Sequence, residues 1–561
     1  MRQFIITFTC TWIGTFGLFQ CFSGSPPDYH IDEYLRNRIE TAGIPPRISV
    51  GEELVYASVM LPLFYQRRIF KPAWSENTNL LPEIDQLLSA IKAADLEGLN
   101  PEDYHLAKIL QILQMIKQNR ENRAAFSPRL LVDLDLLSTD AFLVYGAHLL
   151  AGKVNPEKIE ADWIAARKEV DLAQILESAL ARNQIREGLK DLLPRYSGYW
   201  YLHDTLTLYR TMAARGDWLL VPDGPRLSRG DAGERVSILY KRLLASGDFD
   251  SDENIERNFF DEKLELAVKR FQRRHGLNAD GVVGPLTLAA MNVPLKERVR
   301  QIELNMERWR WLPQELGTRY LLVNIANFEL ALIEEAQKAM TMRAVVGKRY
   351  RRTPVFSSKM TYLVLSPYWH IPHRLALQDK LPLIHKDERY LEKQNIRVFQ
   401  GWGSETKEID PRSIDWSQVT PESFNFRLRQ DPGPRNALGR VKFMFPNKFD
   451  VYLHDTPDIE LFAKTERTFS SGCIRIEKPI DLAEYLLHSD DKWSREAILS
   501  VINNGEEQTV RLPEPIDVHL IYCTAWADED GVIQFRKDIY ERDKRLAEAL
   551  LEKSPHLSEL N

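Results

Sequence analysis

The period of the apolar residues changes once along this chain, near Tyr320, and that change separates what can fold before it from what can fold after it. Upstream, LPEIDQLLSAIKAADLEGLNPEDYHLAKILQILQMI (81–116) and SPRLLVDLDLLSTDAFLVYGAHLLAGKVNP (127–156) set apolar residues three and four apart, the spacing of one helix face. Pro128 stands at a helix start and Gly152 at a C-cap. From Tyr320 the runs become short, alternating and β-branched: RYLLVNIANFELALIEE, KAMTMRAVVGK, KMTYLVLSPYWHIP, GRVKFMFPNKFDVYLHD and DVHLIYCTAWADEDGVIQFR, punctuated by Gly, Pro, Asn and Asp. Helices followed by strands, without strand–helix alternation, predict a multidomain α+β chain. At 561 residues and about 150 residues per domain, three or four domains are expected.

The expected order is a helical N-terminal scaffold over 26–224, a small helical module over 225–292, a connecting helix over 293–317, a β-rich domain over 318–535 and a C-terminal helix over 536–561. In the connecting segment, VPLKERVRQIELNMERWRWLP, Val299, Ile302, Met306 and Trp309 point inward and Pro313 stops the helix. Residues 373–430 are polar and irregular, too long for a bare loop in a compact domain, and predict an inserted lid over a site. No chemistry is evident in the helical half. Tyr145, His148, Trp74, Trp163, Trp200 and Trp218 read as packing residues.

A net charge of −6 with 44% hydrophobic and 27% charged residues fits a globular protein and excludes a polyanion bound by bulk charge, so no nucleic acid partner is expected. The opening MRQFIITFTCTWIGTFGLFQCFSGSPPD carries Arg2, then no charge until Asp28, and small residues at Ser23 and Gly24. Residues 1–25 read as an export signal or an uncleaved membrane anchor. The expected location is the periplasm, free or held at the inner membrane. Lipidation at Cys21 is disfavoured by Phe19 and Gln20, which occupy places that want small residues.

Of four cysteines, Cys10 and Cys21 fall in that signal, leaving Cys473 and Cys523. An oxidising compartment permits a bridge between them. Cys523 shares an alternating strand face with His519, Ile521 and Ala525, which suits a buried, inert thiol. Cys473 lies in TFSSGCIRIEKP and stays open to four roles: small core residue, disulfide half, metal ligand or nucleophile. For the last, a base is needed, because the thiolate is the attacking species. In GRVKFMFPNKFDVYLHD, read as a hairpin turning at Pro446 and Asn447, strand alternation sends Val451 and Leu453 to the core and Tyr452 and His454 to the opposite face. Gly472 allows close approach to the backbone, and the Gly472 and Cys473 amides are candidate oxyanion donors. Arg475, two positions on, is placed either to bind a carboxylate or to pair with Glu477 or Asp481.

Two resemblances follow. LSRGDAGERVSILYKRLLASGDFD (227–250) and DEKLELAVKRFQRRHGLNADGVVGPLTLAAMN (261–292) resemble the peptidoglycan-binding domain, whose pattern is met at Gly230, Val268 to Gln272, Gly276–Leu277, Asp280–Gly281 and Gly284 to Thr287. A helical spacer that binds nothing is the alternative. YLHDTPDIELFAKTERTFSSGCIRI resembles the signature of L,D-transpeptidases with a YkuD-type catalytic domain, a histidine followed by S-x-G-C. The order of parts is similar to that of the large YcbB-type enzymes of gram-negative bacteria.

The resemblance implies Cys473 as acyl-accepting nucleophile, His454 as its base, and the backbone carbonyl of Asp455 holding the ring. It places Tyr452 and Arg475 along the donor site and Trp369 at the lid edge. Many members have histidine where this chain has Ser471. The implied reaction forms a thioester at the third residue of a peptidoglycan stem peptide, expels D-alanine, and passes the acyl group to a neighbouring amine in a 3→3 crosslink. L,D-carboxypeptidase action, lipoprotein attachment and a non-catalytic wall-binding scaffold are the alternatives, and other cell-wall enzymes are candidate partners. No metal or organic cofactor is implied. His370 and His373 are three apart, but Pro372 interrupts the helix that would make them ligands.

Overall fold

The computed structural model describes residues 30–552 apart from 44–45, 123–126, 166–167, 169, 251–257, 402 and 529. The expected signal, with Cys10 and Cys21, lies outside the described residues. Among those described, no helix is long and apolar enough to cross a membrane.

The helical half is organised by α1 (Pro128–Ala151), in which every residue from Leu131 to Leu150 is buried. A helix apolar on all sides belongs at a core centre, and the helices Ile31–Glu40, Met60–Arg67, Glu83–Lys92, Leu106–Glu121 and Leu172–Arg182 pack around it. Its buried acids are satisfied by loops. Asp135 accepts from Tyr65 and from the amides of Ala73 and Trp74, and Asp140 from His105 and the amides of Tyr56 and Ala57. His148, against Tyr104, is pushed down to about 3 by burial. The segment departs from an all-helical expectation at two ribbons, Ser49–Val50 with Glu53–Leu54 and Ser75–Glu76 with Asn79–Leu80. Asn77 and Thr78 both take positive φ, the turn that closes a two-residue hairpin.

After α2 (Ser197–Ala214), the small module comprises α3 (Glu234–Ala245), α4 (Glu262–Arg274) and α5 (Pro285–Met291) around Val236, Leu239, Leu264, Val268 and Phe271. Gln272 explains much of its sequence pattern. Its amide nitrogen donates to Asp280, the Val282 carbonyl and Thr287, while its oxygen accepts from the Gly281 amide. These signature residues lock one turn from inside.

The connecting helix, α6 (Leu295–Arg310), is buried on two sides. Ile302, Met306 and Trp309 join the helical core, and Leu304 joins the core of the β-rich domain. The end of the strand Gln508–Ile521 and the residues that follow it, Cys523 among them, divide in the same way. Ile521, Cys523 and Ala525 face the helical core, whereas Val518, Leu520 and Tyr522 face the β core. Cys473 and Cys523 are both free thiols, with no bridge between them. Burial pushes the Cys523 thiol up to about 12, so it stays protonated and inert.

The strands of the second half are β1 (Arg319–Asn324), β2 (Glu329–Glu334), β3 (Gln337–Gly347), β4 (Phe356–Leu365), β5 (Trp369–Ile371), β6 (Ile396–Gln400), β7 (Lys407–Ile409), β8 (Phe426–Gln430), β9 (Val441–Met444), β10 (Leu453–His454), β11 (Thr468–Ser470), β12 (Ile474–Ile476) and β13 (Gln508–Ile521). The large sheet runs β11-β3-β12-β10-β9-β4-β13-β1-β2, and β2 also pairs with β3. Eight strands therefore close on themselves, which removes exposed edges. β11 lies beside β3 on the side β2 occupies further up: the Ala344 amide donates to Phe328 and the Val346 amide to Arg467. The final helix, α7 (Arg542–Leu551), packs against α6.

The polar stretch after β4 is more regular than its sequence suggests. β5, β6, β7 and β8 form a separate sheet in the order β7-β6-β8-β5, with a core of its own around Ile384, Leu391, Val398, Trp416 and Leu428. It begins at Trp369, upstream of the polar run, because β5 pairs with β8.

Candidate active site

β10 and β12 are adjacent parallel strands with Leu453 opposite Ile474 and His454 opposite Arg475. Continuing that register sets Tyr452 beside Cys473, and the Ile474 amide donates to the Tyr452 carbonyl at 3.1 Å. Leu453 and Ile474 are fully buried in the β core, so the alternate residues Tyr452, His454, Cys473 and Arg475 share the other face. All four line one cavity of about 1630 Å³. Cys473 and His454 are diagonal neighbours, roughly 7–8 Å apart at Cα by strand geometry, a span their side chains can close.

The imidazole is oriented from behind. His454 Nδ1 lies 2.6 Å from the Asp455 carbonyl; a carbonyl only accepts, so Nδ1 carries the proton and Nε2 is left as the basic nitrogen. Burial, then the charge of Arg475, depresses the ring to about 3 against the pull of that carbonyl. The Asp455 carboxylate is occupied elsewhere, by the Arg440 amide (2.9 Å), Arg440 Nε (2.8 Å) and the Thr456 amide (2.8 Å). Burial also raises the Cys473 thiol, opposed by hydrogen bonding from Tyr452 and the charges of Lys442 and Arg475. Thiol and imidazole are thus both neutral near pH 7. They share no hydrogen bond in this conformation; besides Tyr452, the sulfur meets the Asp450 carbonyl at 3.9 Å.

The turn that carries the thiol is tight. Gly472 has φ +123°, a region open to glycine. Its amide donates to Ser470 Oγ at 3.1 Å, and that hydroxyl donates to the Cys473 carbonyl at 2.5 Å. Of the two amides nominated as oxyanion donors, Gly472's is therefore spent inside the loop. The Cys473 amide has no acceptor among the described residues. Arg475 also differs from expectation. It pairs with Asp458 at 2.8 Å, while Glu477 is taken by Arg343 and Asp481 by Arg495. The hairpin before His454 does not turn tightly at Pro446 and Asn447. Its strands are joined by a longer loop, in which Asn447 bonds the backbone of Phe445, Phe449 and Val451.

With this geometry stand three family matches: a scaffold domain over residues 60–206, a peptidoglycan binding domain over 232–291, and an L,D-transpeptidase catalytic domain of the YkuD family over 318–501. The chain carries an L,D-transpeptidase catalytic domain. A Haemophilus influenzae protein that bears an L,D-transpeptidase name is 32% identical over 247 residues, 44% of this chain and 49% of its own. The chain thus spans about half the length of the curated relative it matches. Two solved L,D-transpeptidase structures also align. The one from Xylanimonas cellulosilytica is 15% identical over 53% of this chain and 99% of its own, with a TM-score of 0.18. The one from Stackebrandtia nassauensis is 14% identical over 54% and 97%, with a TM-score of 0.20. Scores this low add nothing to the fold seen here.

The transpeptidase domain's cavity is walled by parts of the chain far apart in sequence. Trp369, with Lys380 Nζ 5.0 Å from its ring centre, lines it from the inserted sheet. Ser471 lines it from the thiol loop and accepts from Arg351 at 2.9 Å. Arg351 also grips Asp379 of the insertion through two bonds, 2.5 and 2.7 Å. Gly472 and Asp455 stand behind the wall and act through their backbones.

Sequence reasoning missed several contributors. Lys442, opposite His454 on β9, has its Nζ 4.2 Å from the centre of the Tyr452 ring, and burial holds its amine below the usual value. Residues 160–162 of the helical half reach the cavity because Asp162 and Ile164 exchange backbone hydrogen bonds with Val355. Ser470 had a signal, being the serine of S-x-G-C. Lys442 and Arg351 had none, since both lie in unremarkable strand and loop sequence. Among the described residues, no group of three His, Cys, Asp or Glu is arranged to hold a metal.

Proposed function

We propose that this protein is a cysteine acyltransferase that forms 3→3 peptidoglycan crosslinks in the periplasm. Cys473 Sγ adds to the carbonyl of the third stem residue as its proton passes to His454 Nε2, and the carbonyl π pair moves to oxygen. Collapse breaks the bond to the terminal D-alanine, whose amine takes the proton from His454. The thioester then meets a side-chain amine of a second stem, which gives its proton to His454 and displaces the sulfur, and His454 returns that proton to the departing thiolate. No metal or organic cofactor enters.

The observation that carries this reading is the pairing of a neutral imidazole, its Nδ1 spent on Asp455, with Cys473 on the neighbouring strand of one cavity. A base already neutral and a thiol still protonated suit proton transfer during attack, not a stored ion pair. Ten Lys and Arg side chains line the cavity against five Asp and Glu, a balance that favours a carboxylate-bearing peptide. The inserted sheet forms one wall and serves as a lid that keeps water from the thioester. The peptidoglycan-binding module would hold the enzyme on its polymer, beside other cell-wall enzymes.

The test is incubation with tetrapeptide muropeptides, read by mass spectrometry. D-alanine release with 3→3 dimers supports crosslinking; tripeptide without dimers assigns hydrolysis instead. A carbapenem adduct on the wild type and none on Cys473→Ser is also expected. A folded wild type that takes no adduct and turns over no muropeptide would refute the enzyme reading in favour of a wall-binding scaffold.

A further inference from the structure

One buried hydroxyl behind the thiol loop has its hydrogen bonds fully determined. Thr353 is wholly buried, and its Oγ1 lies 2.9 Å from the Gly347 amide and 2.9 Å from the Gly472 carbonyl. An amide only donates and a carbonyl only accepts. The hydroxyl must therefore receive from Gly347 and give its single proton to Gly472. Threonine's own backbone is fixed in turn. Its amide donates to Tyr540 Oη at 3.2 Å, and that hydroxyl donates to the Gly347 carbonyl at 2.6 Å. Gly347, Thr353 and Tyr540 thus form a closed ring of hydrogen bonds. Tyr540 is held from a third side, its amide donating to Tyr522 at 2.9 Å. Gly347 is required in this ring, because a Cβ there would meet the Arg351 carbonyl at 2.1 Å.

The Gly472 carbonyl and the Cys473 amide belong to one planar trans peptide and point in opposite directions. A grip on the carbonyl from the buried side therefore aims the amide the other way, toward the cavity that Cys473 lines. That amide has no acceptor among the described residues, and Ser470 has already consumed its neighbour at Gly472. We propose that Thr353, fixed by Tyr540, is the positioning residue that aims the Cys473 amide at the oxyanion formed when the thiol adds to a carbonyl. Tyr540 lies outside the 318–501 span of the catalytic family match, so this assigns the C-terminal segment a part in the reaction. The inference rests on the thioester chemistry proposed above.

The test compares two reactions of the same sulfur. Acylation by a carbapenem forms the S–C bond, opens the lactam C–N bond and passes through an oxyanion. Alkylation by iodoacetamide displaces iodide and forms none. In the full chain, Thr353→Val is expected to slow acylation about 10- to 100-fold, within the range of lost oxyanion donors, while alkylation stays within about twofold. Thr353→Ser, which keeps the hydroxyl, restores acylation. Tyr540→Phe repeats the selective loss to a smaller degree and serves if Thr353→Val does not fold. Equal losses in both reactions would reduce Thr353 to a general support of the loop and overturn the proposal, as would unimpaired acylation in folded Thr353→Val. A wild type whose Cys473 alkylates but accepts no acyl group would overturn the transpeptidase reading, and this inference with it.

Discussion

Raising the pH from about 6 to about 8 is expected to accelerate iodoacetamide alkylation of Cys473 about 100-fold, because only the thiolate attacks. The ordinary value of the thiol, 9.0, is raised further by burial. The thiolate fraction at neutral pH is then about 1% or less and grows tenfold per unit. His454 lends no charge to change this. With its ring depressed to about 3 it is neutral throughout that range, so His454→Gln keeps the same slope. Cys523 does not interfere, buried and pushed up to about 12. The assay is initial labelling rate against pH, read on the peptide that contains Cys473 by mass spectrometry. A flat profile that loses its plateau in His454→Gln would reveal a thiolate–imidazolium pair at rest and refute the neutral-pair account.

Tyr452→Phe removes a hydroxyl whose hydrogen bond pulls the Cys473 thiol down, so its alkylation profile is expected to move to higher pH, with slower labelling at pH 8. Asp379→Asn weakens the two-bond grip of Arg351 between the insertion and the Ser471 side of the thiol loop; KM for a muropeptide donor is expected to rise while iodoacetamide labelling is unchanged, and a fall in labelling would assign Arg351 to the loop instead. In the small module, Gln272→Ala leaves the Gly281 amide without its acceptor and takes one partner each from Asp280 and Thr287, which keep their bonds to the Val282 backbone. A loss of about 1–3 kcal/mol is expected from one orphaned buried group, visible as an earlier melting step of the module, whereas an unchanged melt would show that the turn does not depend on that lock.

The parts that local periodicity encodes were legible without coordinates. The segment from Leu131 to Leu150 was legible as a helix from apolar residues set three and four apart, whereas its burial on every side, with Asp135 and Asp140 satisfied by loops, came only with the structure. The alternation Val451, Tyr452, Leu453, His454 could be divided into core and cavity faces from spacing alone, since a strand's period is two. The inserted sheet was legible only as a long polar stretch, because strands such as β7 and β8 are short, charged and stabilised by their neighbours more than by their own pattern.

By itself, then, the chain determined the division into a helical half and a β half, the small module, and the pairing of a histidine with a cysteine in a recognisable motif. Tertiary structure alone decided that Cys473 faces the cavity and Cys523 the helical core instead of bridging, that Gly472's amide is spent on Ser470, and that Arg475 finds Asp458. It also brought Thr353, Lys442 and Tyr540 to the back and side of the thiol loop. The physical reason is common to all of these. Periodicity is a local property, written into neighbouring residues, whereas hydrogen bonds between distant strands and a C-terminal segment exist only once the closed sheet has set their ends within about 3 Å of one another.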